Sequence, residues 1–172
     1  YFDRHSYGGS VRFRKAISNW SFLNFRYRYE NITIDQLKLA ASEVFSQGTD
    51  EISSIGLGVT YDTRDNFINP SRGISTTFNI EESNDIFGAN LFYTKYTADF
   101  AKYYSIKRNH TLSYKIEGAF IDFREIGDKI VVGERFYLGG PNNLRGFKAS
   151  RISPRRLLST GNFVRIGGNK YV

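Results

Sequence analysis

The sequence predicts an all-β fold: an antiparallel up-and-down transmembrane β-barrel, present here in part, with about six complete strands plus a long inward-folded loop. Three observations predict it. Apolar and polar residues alternate with period two over six segments, the pattern of strands with one apolar face. The connections between those segments alternate between short and long, as tight turns at one membrane face and long loops at the other would. Aromatic residues make up 16% of the chain, with 12 Tyr and 15 Phe. Rings in that quantity suit strands and membrane interfaces better than a Leu-, Ile- and Val-rich globular core.

The segments follow in order. Val11 and Phe13 oppose Ser10, Arg12 and Arg14. Leu23, Phe25, Tyr27 and Tyr29 oppose Asn24, Arg26, Arg28 and Glu30. Between Ser54 and Asp62, Ile55, Leu57, Val59 and Tyr61 oppose a face that includes two glycines. Ile74, Thr76, Phe78 and Ile80 oppose Ser75, Thr77, Asn79 and Glu81. From Asn90 to Tyr104, Phe92, Tyr96, Ala98 and Phe100 oppose Tyr93, Lys95, Thr97 and Asp99. Leu112, Tyr114, Ile116 and Phe120 oppose Ser113, Lys115, Glu117 and Ala119. The polar faces therefore carry Arg12, Arg14, Arg26, Arg28, Lys95 and Glu117.

The short connections are 15–19, 64–73 and 107–109; the long ones are 35–51, 82–88 and a loop that begins near Arg124. Within 35–45, Leu37, Ala40, Ala41, Val44 and Phe45 recur at helical spacing, which suits a short helix across an outer loop. Trp20, Phe22, Tyr27, Tyr29, Tyr103 and Tyr104 are expected in interfacial girdles. Alternation by itself serves a soluble β-sandwich equally well. Loop lengths segregated by side, together with the aromatic content, favour the membrane.

Composition narrows the function. A length of 172 residues fits one domain. Without cysteine there is no disulfide framework and no thiolate metal site. The two histidines lie on different segments without ligand spacing, and no nucleophile–base set is present, so neither an enzyme nor a cofactor site is expected. The net charge of +7 suits anionic headgroups or acidic polypeptide. The basic residues are dispersed along strands rather than clustered, which argues against nucleic acid. No run approaches 18 apolar residues, so no transmembrane helix is expected. The chain begins without Met and without a signal peptide, as expected of a mature or excised segment.

Two stretches resist a purely structural reading. The first, GERFYLGGPNNLRGF from Gly133 to Phe147, has the glycine and proline content of a loop. It nonetheless carries Phe136, Tyr137, Leu144 and Phe147, which gain nothing in solvent. The expected arrangement folds the loop inward, packs the rings and gives Arg145 a fixed acceptor, because an unpaired buried guanidinium costs several kcal/mol. The second, Tyr61 to Gly73, is a turn in which Asp62, Asp65 and Asn66 can cap amides, Pro70 presets its own φ and Gly73 permits a positive one.

With these residues on view, the chain resembles a family. YDTRDN from Tyr61, followed by NPSRG ending at Gly73, is similar to the periplasmic-turn signature of the BamA family of outer-membrane assembly barrels, in the bacterial surface antigen superfamily. The stretch 133–147 resembles that family's sixth outer loop, its Val-Arg-Gly-Phe core written here as Leu144, Arg145, Gly146 and Phe147. Gly167, Gly168 and Asn169 resemble the approach to the following strand. The resemblance implies that the whole chain, 1–172, is a partial C-terminal outer-membrane barrel domain, from about the sixth strand to the opening of the twelfth, without periplasmic repeats, and that 124–168 is the sixth loop. It gives Arg145 a luminal ion pair with acidic residues beyond Val172. Gly146 provides the bend and Phe147 packs beside it. Glu134, Arg135, Phe136, Tyr137, Gly139 and Gly140 support the loop. Asp62, Arg64, Asp65, Asn66, Pro70 and Gly73 form the periplasmic turn.

The implied function is folding and inserting β-barrel proteins into the bacterial outer membrane. The implied partners are unfolded barrel clients, assembly-complex lipoproteins, and outer-membrane lipid or lipopolysaccharide. Cofactors are none. The alternatives are a related translocation or two-partner secretion barrel, a passive porin-like channel, and a soluble β-sandwich binding module.

Overall fold

Strand pairing turns each alternation into a register. A computed structural model describes residues 3–35, 48–107, 110–124, 133–141 and 143–172. The expected helix at 35–45 falls almost wholly outside these residues. Six long strands follow one another: β1 (Asp3–Ala16), β2 (Ser21–Asp35), β3 (Gly48–Asp62), β4 (Gly73–Ser83), β5 (Phe92–Lys107) and β6 (His110–Arg124). Each pairs antiparallel with the next. A hairpin of β7 (Arg155–Leu157) and β8 (Phe163–Arg165) follows, and β9 (Lys170–Tyr171) joins the open edge of β6. The result is an up-and-down wall of seven strands that does not close on itself.

The strands run longer than the alternating segments. β1 extends back from Ser10 through His5, Ser6, Gly8 and Gly9, whose pairing with the far half of β2 needs no apolar period. The expected alternation of short and long connections fails at 84–91, between β4 and β5, which is shorter than 63–72, between β3 and β4. It contains a short 3-10 turn, Asp85–Phe87, capped by the Asn84 side chain, which accepts from the Ile86 N–H.

Register puts the apolar set on one face. Val11 pairs with Tyr27, Phe13 with Phe25, and Leu57 with Ile80. This face stays open to the surroundings: Leu57 is 54% exposed, Ile116 56% and Phe13 64%. Rings run along it, including the Phe13–Phe25 and Tyr96–Phe120 pairs. A large apolar surface left uncovered is the outside of a membrane wall. Two aromatics expected in the girdles lie on the other face. Phe22 has the parity of Asn24 and lies under the Arg14 guanidinium, 3.9 Å from its ring centre. Tyr103 has the parity of Lys95 and Asp99. Position near a strand end did not decide the face; parity did.

The buried core lies on the polar side, towards the ends of the strands away from the 64–73 turn. Ile32, Ile34, Ile52, Leu91, Tyr93 and Ile121 form it, and Phe123 and Phe136 pack against it. Phe136 belongs to the long loop. The inner face is therefore covered there by the segment that follows β6.

Candidate functional site

The covering segment is attached through one buried carboxylate. Glu134 is only 4% exposed. Its Oε1 lies 3.0 Å from Arg28 Nη2, and its Oε2 accepts from Lys95 Nζ at 3.1 Å. Arg28 Nη2 also lies 3.0 Å from Glu81 Oε1 and donates to the Tyr93 hydroxyl at 2.5 Å. Tyr93 in turn donates to Glu81 at 2.8 Å, and Ser54 Oγ donates to the same carboxylate oxygen at 2.9 Å. Glu30 lies 3.6 Å from Arg28 Nη1.

Local sequence explains the reach. Arg28 pairs across the sheet with Ser54, Ser54 with Ser83, and Ser83 with Tyr93. Three strand spacings separate Arg28 from Tyr93, roughly 14 Å. Only two long side chains laid flat can close such a gap, and they need small residues between them. Ser54, Gly56 and Ser83 supply that space. Each charge has an opposite partner, and Arg28 and Glu81 also share the Tyr93 hydroxyl, although Arg28 Nε is buried with no acceptor among the described residues.

From Glu134 the loop runs along the inner face. Arg135 places its guanidinium 5.5 Å from the Phe123 ring centre, with Nε buried and lacking an acceptor among the described residues. Phe136 exchanges backbone hydrogen bonds with Gly168 and meets Tyr171 edge-on at 5.1 Å. The Tyr137 hydroxyl is buried without a partner among the described residues. Gly167 (φ +71) lies under Arg135 and Tyr137, where an added Cβ would fall 2.5 Å from Arg135 Cβ. Leu138 bridges to Ile152. Gly139 and Gly140 adopt φ +111 and +108, and a side chain at Gly139 would collide with the Lys148 carbonyl.

The Leu144–Phe147 core forms a compact turn. Leu144 N–H donates to the Gly140 carbonyl at 3.1 Å, and Gly140 N–H to the Phe147 carbonyl at 2.9 Å. Asn143 Oδ1 accepts from Gly139 at 2.9 Å and Leu144 at 2.7 Å. Gly146 carries φ +89. Leu144 and Phe147 are exposed, as is Arg145, which has no ion pair among the described residues. The carboxylates expected for Arg145 were placed beyond Val172. The tie that is visible falls on Glu134, assigned from the sequence only to loop support. Tyr93, Glu81 and Ser54 were missed. Parity puts all three on the polar faces, but nothing in it marks them as partners.

The 61–73 turn closes the opposite end of the wall. Asp62 and Arg64 form a two-pronged pair, Nε–Oδ1 at 2.9 Å and Nη2–Oδ2 at 2.6 Å. Asp65 accepts from the Ser71 and Arg72 amides at 2.9 and 3.2 Å and from the Ser71 hydroxyl. The Ser71 hydroxyl, the largest influence, and these amides pull the Asp65 carboxyl down to about 2. Asn66 Oδ1 accepts from Ile68 and Asn69, so Pro70 follows an already folded turn. Gly73 takes φ +112 against the Thr63 carbonyl. The capping roles expected of Asp62, Asp65 and Asn66 all appear. Among the described residues no group of three His, Asp or Glu side chains could hold a metal ion.

An antiparallel wall, apolar outside and polar inside, with a loop folded onto the inner face, is part of an outer-membrane β-barrel. Residues 1–172 match the Omp85 superfamily domain, and the chain belongs to that superfamily. It is 30% identical, over 98% of its length, to outer membrane protein assembly factor BamA of Nitratidesulfovibrio vulgaris, and spans 21% of that relative. The crystal structure of BamA from Haemophilus ducreyi lacking POTRA domains 1-3 matches in fold, with a TM-score of 0.79 at 17% identity, covering 98% of this chain and 36% of that one.

Proposed function

We propose that the chain is barrel wall and bracing loop of an outer-membrane protein assembly factor, which folds and inserts β-barrel proteins. The single observation that carries this reading is the long loop tied to the inner wall through Glu134. A passive pore has no need of a braced internal loop; an assembly barrel that must deform and recover does. The likeness to BamA over nearly the whole chain supports the same reading.

The mechanism involves no covalent chemistry. An incoming strand adds to an exposed strand edge elsewhere in the complete barrel, gaining backbone hydrogen bonds by β-augmentation. The wall described here holds its shape meanwhile. Arg145 completes the brace by pairing with carboxylates of later strands, and the 61–73 turn stiffens the periplasmic rim. Partners on this reading are unfolded barrel clients, the lipoproteins of an assembly complex, and outer-membrane lipid.

The test is client folding into liposomes that contain the intact protein, followed by heat-modifiable gel mobility of the client. Folding faster than in empty liposomes supports the proposal. Steady ion conductance with no acceleration would make the protein a channel instead.

A further inference from the structure

The inner wall divides into two electrostatic halves. Towards the long loop, Arg28 and Lys95 are neutralised by Glu81 and Glu134. Towards the 15–19 turn, Arg12, Arg14 and Arg26 make no direct ion pair among the described residues, and of the three only Arg14 feels a carboxylate, that of Asp62. Arg12 and Arg26 are direct cross-strand partners, an arrangement of like charges that destabilises a sheet unless an anion intervenes. Arg26 Nε is buried without an acceptor among the described residues. The Arg14 guanidinium is held against the Phe22 ring.

These three cations, together with Lys95, border a trough of about 570 Å³, a volume in the range of binding pockets for small molecules and short chain segments. Its floor is Gly56 and Gly58, where the wall carries no side chain. The Asn79 side-chain amide lies over Gly58, where a Cβ would force it to move, and so forms part of the floor. Among the described residues that line it, the carboxylate is Glu81, already engaged by Arg28, Ser54 and Tyr93.

We propose that the trough of Arg12, Arg14 and Arg26 binds an extended acidic polypeptide segment through its carboxylates. Three features select that ligand. Guanidinium forks match carboxylates two-pronged. Arg12 and Arg14 are two residues apart on one strand, roughly 7 Å, which is also the spacing of alternate side chains in an extended peptide. Arg12, Arg14, Arg26, Asn79 and Thr97 of its lining share the face opposite the apolar one, so lipid lies across the sheet from them. The proposal needs this face to line the lumen; it does not need the barrel to assemble others.

The test uses the intact protein in detergent and a fluorescein-labelled peptide of alternating Glu and Ser, read by fluorescence anisotropy at low salt. Binding is expected, with affinity falling about tenfold or more in the Arg12→Gln/Arg26→Gln double variant. Arg72→Gln, in the turn outside the trough, should bind as the parent does. A Gln-for-Glu peptide should not bind. The Arg12→Lys/Arg26→Lys variant keeps both charges and guards against loss of folding; it should bind several-fold more weakly. Equal affinity in the parent and either double variant overturns the proposal. So does binding of inorganic pyrophosphate without binding of the peptide, which would make the trough a phosphate site.

Discussion

Arg28 of β2 and Glu134 at the root of the long loop lie 3.0 Å apart, with side chains 15% and 4% exposed. Losing Glu134 leaves Lys95 without its carboxylate, and losing Arg28 leaves Glu81 without its cation, in a poorly hydrated site. Glu134→Ala in the intact protein should therefore cost about 3–5 kcal/mol, the cost of breaking a buried pair from one side. Arg28→Ala should cost a similar amount, and the double variant less than the sum of the two. Denaturant unfolding in detergent measures all three. Strict additivity would mean that the two side chains do not interact.

Arg145 offers a separate test, because its proposed partners belong to later strands. Arg145→Ala in the intact protein should destabilise the loop by roughly 3–5 kcal/mol and slow client folding in liposomes. Arg145→Lys should rescue only partly, because a point charge cannot reproduce the fork. Parental heat-modifiability and client folding in Arg145→Ala would make this loop core an ordinary exposed turn.

The face assignment predicts depth-dependent costs. Arg in place of Leu57 or Phe78, both open on the apolar side, should cost roughly 2–4 kcal/mol near the bilayer midplane. Cysteines replacing Leu57 and Ile116 should react poorly with aqueous reagents, and those replacing Thr97 and Arg12 well. Equal reactivity would contradict the inside–outside assignment.

The 61–73 turn carries a pH signature. The Asp65 carboxyl, lowered to about 2 by the Ser71 hydroxyl and the amides beside it, compares with about 3.9 in an unfolded chain. A depressed carboxylate contributes its stability in full above the unfolded value and loses it as the pH falls through the folded one. Amide exchange at Ser71 and Arg72 should thus accelerate, relative to an Asp65→Asn control, as the pH drops from 4 towards 2. A flat ratio across that window would show that the carboxylate does not hold the turn.

What the sequence made legible was whatever period two controls. Phe13 and Arg12, or Leu57 and Gly56, declare opposite faces by adjacency alone, and turn residues such as Asp65 and Asn66 act on neighbours a few positions away. Phe22 and Tyr103 show the limit of reading a girdle from strand ends, since one step along a strand reverses the face. The cluster around Arg28 was hidden for a different reason. Its members lie on β2, β3, β4, β5 and the long loop, and only the register of all the intervening strands brings them together. Alternation reports which side a residue faces; it carries no information about how far one strand is slid along the next.

That slide is what the cluster forbids. Neighbouring strands joined only by backbone ladders can shear, and shear is how a barrel changes girth. Arg28, Glu81, Tyr93, Lys95 and Glu134 stitch β2, β4, β5 and the loop across several ladders at once, and displacing one strand by a residue would turn its charged members out to the lipid. This panel is thus the rigid stave of the cask. Any widening must be taken up by staves that carry no such stitching.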